Sequence, residues 1–271
     1  MAAKATKARD VRMAHASGSR NPGAVNLVLR SEFVQVLLTN DDGIDAPGLK
    51  TLEHIVAAVG TAVIVAPDRH LSGCGHQTTV DRPLNLTEVA PARFALDGTP
   101  ADCVRVGLQH VATDVDWVFS GINDGGNLGV DTFMSGTVAA VREAAYWGKP
   151  AIAFSQYRDR GGDNQWLASI PLAEKALLWV LAQPLEAGVY WNVNLPDTKH
   201  AEHDGLPELS VCEVDPHPLD VSFAVDGSQF TFQGRYQQRS RLPGFDVQRC
   251  FAGEITVSRL HIPSAELRTD L

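Results

Sequence analysis

The chain has 271 residues, 44% of them hydrophobic, which is enough to bury the core of one sizeable α/β domain. Its formal net charge is −9, but residues 1–30 hold six Lys or Arg residues against Asp10 alone and so carry +5. Subtracting that from −9 leaves −14 on the rest of the chain. Such an acidic body argues against duplex nucleic acid as a partner, and a phosphate substrate would need a local cation such as a metal ion.

The cysteines and the first residues bear on the cellular compartment. The four cysteines are Cys74, Cys103, Cys212 and Cys250. They are far apart and form no CxxC pair, which argues against a zinc site and a dense disulfide framework and favours a reducing compartment. The first 30 residues lack the apolar segment of a signal peptide, and no run of eighteen apolar residues occurs. We therefore expect a cytoplasmic protein that does not span a membrane.

Apolar runs alternate with helical patterns along most of the chain. A strand is predicted at 34–39, a helix from Pro47 to Gly60 and a strand at 62–66. If both strands lie in one sheet, they are parallel and their carboxyl ends open on the same edge. The further predicted elements are extended segments at 79–88 and 93–96, a helix at 101–111, a strand at 116–120, a helix at 136–147 with Ser135 as its N-cap, a strand at 151–155, a helix at 171–183 and a strand at 190–194.

The alternation weakens after Pro196, where the pattern becomes Pro-rich and polar. The β-like segments in this part are 209–214, 229–233 and 254–260. We interpret it as an extension of the same domain, in which a hairpin arm is one option, rather than as an independent fold. The expected organisation is a disordered tail at 1–32, a single domain at 33–262 and a second tail at 263–271.

Two adjacent carboxylates follow the first predicted strand. Asp41 and Asp42 would repel each other unless a cation or a proton lies between them, which makes them candidate metal ligands. The alternative is that one caps the next helix while the other is solvated. The second strand runs into a loop with Ser72 and a later one into a loop with Asn123, so three loops converge on one edge. Carboxylate, hydroxyl and amide oxygens suit Mg²⁺ or Mn²⁺ better than zinc or copper.

A hard divalent ion suggests phosphate chemistry, because it polarises a phosphoryl oxygen and lowers the pKa of bound water. The attacking group is then a metal-activated water or, as an alternative, Asp41, with Asp42 as the candidate general base. Glycines between 121 and 129 permit close backbone approach to an anion, and a helix N-terminus offers N–H donors. The candidate substrate contacts are Asn127, Ser135, Gly136 and Thr137. His70 and His76 are alternative proton donors, and Cys74 is interpreted as incidental.

Several motifs in order resemble the SurE family of stationary-phase survival proteins, which are 5′/3′-nucleotidases. The matching segments are 37–44 (LLTNDDGI), 65–69 (VAPDR) with Ser72 and Gly75-His76, 98–103 (GTPADC), 120–123 (SGIN) with 127–129 (NLG), and 135–138 (SGTV). The resemblance extends over about 34–196, with a fainter echo at 245–262. By motif position, the resemblance implies that the family's metal ligands correspond to Asp41, Asp42, Ser72 and Asn123. These are the same four residues that the strand ends and the ligand chemistry indicate.

Further expectations follow from the resemblance alone. It implies a Rossmann-like three-layer αβα sandwich with a mostly parallel sheet and a C-terminal β-rich arm at about 205–250. It also implies one divalent ion, Mg²⁺ or Mn²⁺, per subunit, hydrolysis of nucleoside 5′- and 3′-monophosphates, activity on short polyphosphate, and assembly into homodimers or homotetramers through the arms. The chain departs from the family pattern at Asp124 and Gly126, which predicts a more acidic and more flexible loop on the phosphate side.

Two other classes of protein share parts of this pattern. A phospho-accepting signalling module with bound magnesium also has paired acids after its first strand, but it needs a lysine after a late strand, and Lys149 precedes one. A dinucleotide-binding oxidoreductase needs a GxGxxG motif after the first strand, where this chain has Asp41 and Asp42 instead.

Overall fold

A computed structural model of the chain describes residues 33–159, 166–198 and 205–262. The two predicted tails, 1–32 and 263–271, lie outside the described residues. The strands are β1 (Val34–Thr39), β2 (Gly60–Pro67), β3 (Leu86–Ala90), β4 (Arg93–Leu96), β5 (Trp117–Asp124), β6 (Ala151–Gln156), β7 (Val189–Leu195), β8 (Leu209–Val211), β9 (Phe223–Asp226), β10 (Gln229–Phe232) and β11 (Ile255–His261). The helices are α1 (Pro47–Val56), α2 (Pro100–Val106), α3 (Asp131–Met134), α4 (Gly136–Tyr146), α5 (Trp166–Leu181) and α6 (Asp246–Phe251).

A nine-stranded sheet with the order β3-β4-β2-β1-β5-β6-β7-β11-β8 forms the centre of the fold. Every pair from β4 to β7 is parallel, whereas β3 and β11 are antiparallel to their neighbours β4 and β7. The expected mostly parallel α/β sheet is therefore confirmed. The C-terminal part adds β11 and β8 to this sheet and forms a separate two-stranded hairpin from β9 and β10.

Helices cover both faces of the sheet, as alternating residues of β1 show. Val36 and Leu38 belong to a buried cluster with side chains of α1 and α5, and the intervening Leu37 belongs to a second cluster with side chains of α2 and α4. Successive residues of a strand point to opposite faces, so each face has its own apolar layer. No helix among the described residues is long and apolar enough to cross a membrane.

Several predicted boundaries differ from the structure. Helix α1 ends at Val56 instead of near Gly60, which already starts β2. The predicted helix at 101–111 is α2 followed by one π-helical turn at Gly107–Val111. Helix α5 begins at Trp166, five residues before Pro171, whereas the preference of proline for a first helical turn predicts a start at Pro171.

The glycine-rich segment after residue 120 also differs from its prediction as a loop. Strand β5 continues through Gly121 to Asp124, and its register to β6 shifts between Ser120 and Asn123. A β-bulge of this kind changes the direction of the following side chains while pairing continues. The strand therefore carries Asn123 to the edge of the sheet directly.

Candidate metal centre

The carboxyl ends of β2, β1 and β5 are adjacent in the sheet, and the predicted metal ligands lie at or beyond these ends. Asp41 and Asp42 lie just beyond β1, Ser72 lies in the loop after β2, and Asn123 is the second last residue of β5. The parallel pairing of β1 with both neighbours brings these three connections to one edge of the sheet, as the sequence analysis expected.

A tight turn holds the two aspartates. The side chain of Asn40 donates from Nδ2 to the Gly43 carbonyl at 2.9 Å and accepts the Gly43 N–H at 3.2 Å through Oδ1. Gly43 has φ of 104°, a backbone conformation that favours glycine. Buried Asn40 and Gly43 thus fix the backbone on both sides of Asp41 and Asp42.

Asp41 is almost fully buried against the start of helix α4. Thr137 Oγ1 donates to Asp41 Oδ1 at 2.5 Å. A Cβ atom added to Gly136 would lie 2.9 Å from Asp41 Cβ, so only glycine permits this close packing. Burial raises the pKa of Asp41 and the neighbouring charge of Asp42 adds to this effect, although the hydrogen bond from Thr137 acts against it.

Asp42 contacts residues from the other two loops. Its Oδ2 accepts the backbone N–H of Asp124 at 3.1 Å, and its Oδ1 lies 3.2 Å from Nδ1 of His70. Burial raises the pKa of Asp42 as well, and this effect outweighs the opposing effects of the hydrogen bond from Asp124, of the neighbouring His70 and of Arg158. A cation between two neighbouring carboxylates would stabilise their ionised forms, which burial otherwise disfavours. The pair is therefore suited to bind a cation.

Asn123 and Ser72 are the other two predicted metal ligands. Asn123 Nδ2 donates to the Gly125 carbonyl at 2.8 Å, so the amide nitrogen is bound to the backbone and Oδ1 is the atom that could coordinate a cation. Ser72 is exposed. Its loop is held by the Leu71 N–H, which donates to the Asp41 carbonyl at 2.7 Å.

The chemistry of these donors fits a hard divalent ion. No group of three or more His, Cys, Asp or Glu residues with metal-binding geometry occurs within 33–159, 166–198 and 205–262. The candidate set instead combines two carboxylates with a hydroxyl and an amide, which are the oxygen ligands of Mg²⁺ or Mn²⁺. The burial of two adjacent carboxylates, with Asp41 3% exposed and the Asp42 side chain 11% exposed, is the structural observation that favours a cation at this place.

Three of the four predicted substrate contacts, Ser135, Gly136 and Thr137, lie at the start of helix α4. Ser135 caps helix α4, since its Oγ accepts the Val138 N–H at 3.0 Å, and this confirms the predicted N-cap. Gly136 and Thr137 therefore form the first turn of a helix whose N-terminus adjoins Asp41, where an anion is favoured.

Asn127 is part of the protein interior. It is buried, its Nδ2 donates to Ser155 Oγ at 2.7 Å and its backbone N–H donates to Asn194 Oδ1 at 2.8 Å. Its carbonyl also accepts from Asn192 Nδ2 at 2.9 Å. These contacts fix the glycine-rich loop to β6 and β7, so the geometry favours a supporting role for Asn127 over direct contact with a substrate.

A cluster around Glu143 was not predicted from the sequence. His76 Nε2 lies 2.8 Å from Glu143 Oε2, while Arg105 Nε and Trp147 Nε1 donate to Oε1 at 2.8 and 2.9 Å. Burial acts to raise the pKa of Glu143, but the hydrogen bonds from these partners prevail and lower it to about 2. The cluster joins the loop that carries Ser72 to helix α4. Of this cluster, the sequence indicates only His76 as a candidate functional residue. Glu143 does not stand out, because a glutamate within a helical pattern is typical of a protein surface.

Neither Cys74 nor Lys149 has the environment that a catalytic role would require. Burial raises the pKa of the Cys74 thiol to about 11, so its nucleophilic thiolate form is scarce at neutral pH. Lys149 donates from Nζ to the Val115 carbonyl at 2.8 Å, at the amino ends of β5 and β6. It lies at the opposite edge of the sheet from the aspartates, which is unlike the lysine of a phospho-accepting module.

Asp124 does not stand as an isolated negative charge. Its carboxylate forms an ion pair with Arg158, which follows β6. A cation that follows the neighbouring strand thus accompanies the additional carboxylate, while the more acidic and more flexible loop stays a prediction.

The chain is similar to known proteins of one family. The family model of survival protein SurE matches residues 36–215. A protein of Nostoc sp. is 45% identical over 227 residues, which cover 84% of this chain and 99% of the relative. The 5′-nucleotidase SurE of Geobacter sulfurreducens is 38% identical over 233 residues, or 84% of this chain and 88% of that protein.

A solved structure matches over a similar extent. The crystal structure of the SurE protein from Aquifex aeolicus superposes with a TM-score of 0.71 at 30% sequence identity, covering 84% of this chain and 93% of that one. The chain described here therefore belongs to the SurE family.

Proposed function

We propose that this protein is a metal-dependent phosphomonoesterase that hydrolyses nucleoside 5′-monophosphates to nucleoside and inorganic phosphate. The observation that carries the proposal is the contact between a buried carboxylate pair and a helix N-terminus. Asp41 and Asp42 provide a cation site, and the first turn of α4 beside them provides an anion site. Together they suit a phosphoryl group bound between a metal ion and helix N–H donors. The nucleotidase names of relatives support the choice of substrate class.

The proposed chemistry assigns roles to individual residues. A Mg²⁺ or Mn²⁺ ion held by Asp41, Asp42, Ser72 and Asn123 would supply positive charge to the phosphoryl group and acidify a water molecule. The backbone N–H groups of the first turn of α4 stabilise negative charge that develops on the phosphoryl oxygens. Asp42 is the candidate general base because it is less buried than Asp41 and one of its oxygens faces His70.

Other properties implied by the family extend this proposal. They are hydrolysis of nucleoside 3′-monophosphates and short polyphosphate, assembly into a homodimer or homotetramer, and a cytoplasmic location. The 3′-activity requires only that the same phosphoryl site accept a nucleoside attached through a different oxygen. None of them changes the role of the aspartates.

Phosphate release from a panel of nucleoside 5′- and 3′-monophosphates tests the proposal directly. The purified protein is assayed with EDTA and again after Mg²⁺ or Mn²⁺ is restored. We expect release only with metal and its loss in Asp42→Ala. Asp114→Ala is the matched control, because Asp114 is exposed before the amino end of β5, away from the candidate site. Metal-independent release, or an active Asp42→Ala variant, would contradict the proposed chemistry.

A further inference from the structure

The loop after β2 is attached to the rest of the protein on both sides of Ser72. This loop, residues 68–77, is called the Ser72 loop below. The N–H that precedes Ser72 donates to the Asp41 carbonyl at 2.7 Å. Beyond Ser72, the Gly75 N–H donates to the Met134 carbonyl at 3.0 Å, immediately before the N-cap of α4. Since Ser72 is itself exposed, the attachments of its neighbours hold its hydroxyl in place.

The side chain of His76 adds a third attachment. Its Nε2 lies 2.8 Å from Glu143 Oε2, and its Nδ1 lies 3.4 Å from Nη1 of Arg142. A guanidinium group can only donate, so Nδ1 is the acceptor in this arrangement and Nε2 carries the hydrogen that Glu143 accepts. Glu143 and Arg142 both belong to α4. His76 is therefore bound at both ring nitrogens by the helix whose first turn adjoins Asp41.

Glu143 is a well-fixed acceptor for this contact. Its side chain is 5% exposed, and Arg105 Nε and Trp147 Nε1 donate to its Oε1 at 2.8 and 2.9 Å. Arg105 Nη2 also donates to Oε2 at 3.2 Å, so the carboxylate is bound through both oxygens. A buried charged acceptor with several donors has few alternative positions. The hydrogen bond from His76 thus ends on a fixed group.

The Ser72 loop and Asp41 meet at the first turn of α4. A Cβ atom added to Gly136 would lie 2.8 Å from Cys74 Sγ and 2.9 Å from Asp41 Cβ. The loop and the segment that follows β1 therefore both pack against the same helical turn. A displacement of the loop from α4 would move Ser72 relative to the carboxylates.

We propose that His76 and Glu143 are positioning residues that hold the Ser72 loop against α4, so that the Ser72 hydroxyl is placed for metal binding. This inference rests on the proposed function, since it assumes a metal ion held by Ser72 and the aspartates. Neither His76 nor Glu143 is assigned a contact with the metal or the substrate. Their hydrogen bond restricts an exposed ligand before the cation binds, so that less conformational entropy is lost on binding.

A positioning role and a purely structural role predict different effects on metal binding. If the contact only stabilises the fold, His76→Ala lowers the melting temperature and leaves the Mn²⁺ affinity of the folded protein unchanged. If the contact acts through Ser72, His76→Ala weakens Mn²⁺ binding, but it has no further effect once Ser72 is replaced by alanine. The double variant Ser72→Ala/His76→Ala therefore separates the two roles.

The experiment measures Mn²⁺ binding by isothermal titration calorimetry, at a temperature where thermal unfolding shows that every variant is folded. His76→Ala is expected to weaken binding by ~10-fold, the lower end of the range for losing a residue that orients a metal ligand. His76→Gln should recover most of this loss, because its amide nitrogen can donate to Glu143 as the imidazole does. Trp147→Phe is the matched control, since it removes a donor to Glu143 Oε1 and leaves the oxygen that His76 contacts.

Hydrogen exchange of the Ser72 loop in EDTA is a second measurement, and it needs no metal. The two backbone N–H groups that attach the loop are hydrogen-bonded, so they exchange faster when the loop is released. His76→Ala should accelerate exchange within 71–77, whereas His76→Gln and Trp147→Phe should not. This readout reports on the loop whether or not the protein binds a cation.

Several results would overturn the inference. They are unchanged Mn²⁺ affinity in Ser72→Ala or His76→Ala, an equal loss in His76→Gln or Trp147→Phe, a further loss in the double variant, and unchanged loop exchange in His76→Ala. A wild type that binds no Mn²⁺ would instead refute the proposed metal dependence. Faster exchange in His76→Ala would in that case still support His76 and Glu143 as the residues that hold the loop.

Discussion

Thr137 Oγ1 donates a hydrogen bond of 2.5 Å to Asp41 Oδ1 and thereby connects the first turn of α4 to the carboxyl end of β1. The contact joins the two halves of the proposed site, because Asp41 belongs to the cation side and Thr137 to the anion side. A hydrogen bond to a ligating carboxylate orients it, and loss of such a partner typically costs 10–100-fold in metal affinity or activity.

Replacement of Thr137 tests that connection. Thr137→Val keeps the shape of the side chain but removes its donor, so we expect Mn²⁺ affinity and kcat/KM to fall by ~10–100-fold. Thr137→Ser keeps the hydroxyl and should stay close to the wild type. Metal affinity is measured by titration calorimetry, and thermal unfolding confirms that both variants are folded. Equal metal affinity in the valine and serine variants would show that the hydroxyl does not orient Asp41.

The raised pKa of Asp41 predicts that the metal-free protein is destabilised by its own site. Burial disfavours the ionised carboxylate, so its cost to stability is fully present above the raised folded pKa and is relieved as pH falls towards the unfolded value. Asp41→Asn removes the charge and should raise the melting temperature in EDTA at pH 7 by about 2–4 °C, which corresponds to roughly 1 kcal/mol.

Metal binding reverses the order of the two proteins. Mn²⁺ should raise the melting temperature of the wild type but have little effect on Asp41→Asn, because the variant lacks a charged ligand. Differential scanning calorimetry in EDTA and in Mn²⁺ gives both values. A metal-free Asp41→Asn variant that melts below the wild type would show that the ionised carboxylate stabilises the fold.

The sequence analysis brings the candidate metal ligands to one edge of the sheet because the signals on which it relies are local. Asp41 and Asp42 directly follow an apolar strand, and the parallel order of neighbouring strands brings Asn123 to the same edge. The shift of register that carries β5 beyond Ser120 could not be predicted, since the glycines there also fit a loop. The sequence therefore predicts which residues lie at this edge of the sheet better than it predicts where the strands end, since Asn123 lies within β5 and not after it.

Contacts between distant side chains were beyond the sequence analysis. Glu143 and His76 are separated by 67 positions, and neither residue type requires the other. Asp124 and Arg158 likewise lie at the ends of different strands, so the sequence showed an additional negative charge without its partner. Both pairs depend on how distant parts of the chain pack together, and no local sequence pattern indicates that packing.

The lowered pKa of Glu143 gives a prediction for acid stability. Its pKa is about 2 in the folded protein against 4.5 for an unperturbed glutamate, so ionised Glu143 stabilises the fold fully above pH 4.5. That contribution is lost as pH falls from 4.5 towards 2. Glu143→Gln should lower the free energy of unfolding at pH 7 by ~2 kcal/mol and reduce its dependence on pH below 4.5.

Urea unfolding at several pH values measures this effect. Glu53→Gln is a suitable control, because Glu53 pairs with Arg93 but its side chain is 43% exposed. Exposed ion pairs contribute little, so the control should differ from the wild type by less than ~1 kcal/mol. Equal losses in the two variants would mean that the buried network around Glu143 has no special stabilising role.

The hairpin formed by β9 and β10 leads to a prediction about assembly. Every residue of both strands is exposed, and the ring centroid of Phe223 lies 6.4 Å from that of Phe230 and 5.8 Å from that of Phe232. An exposed apolar hairpin outside the main sheet is typical of a surface that another chain covers. We expect it to hold subunits together, in line with the arm expected at about 205–250.

Phe230→Ser/Phe232→Ser should therefore lower the molecular mass in solution, as measured by sedimentation or light scattering over a range of concentrations. Each phenylalanine that is buried in a subunit interface contributes about 1.5–3 kcal/mol, so losing two of them should shift the dissociation constant by at least ~100-fold. Leu167→Ser is the matched control, since Leu167 is an exposed apolar residue of α5, outside the hairpin. A monomeric wild type, or the same mass in the double variant, would leave the hairpin without a role in assembly and direct attention to the edge strands β3 and β8 of the main sheet.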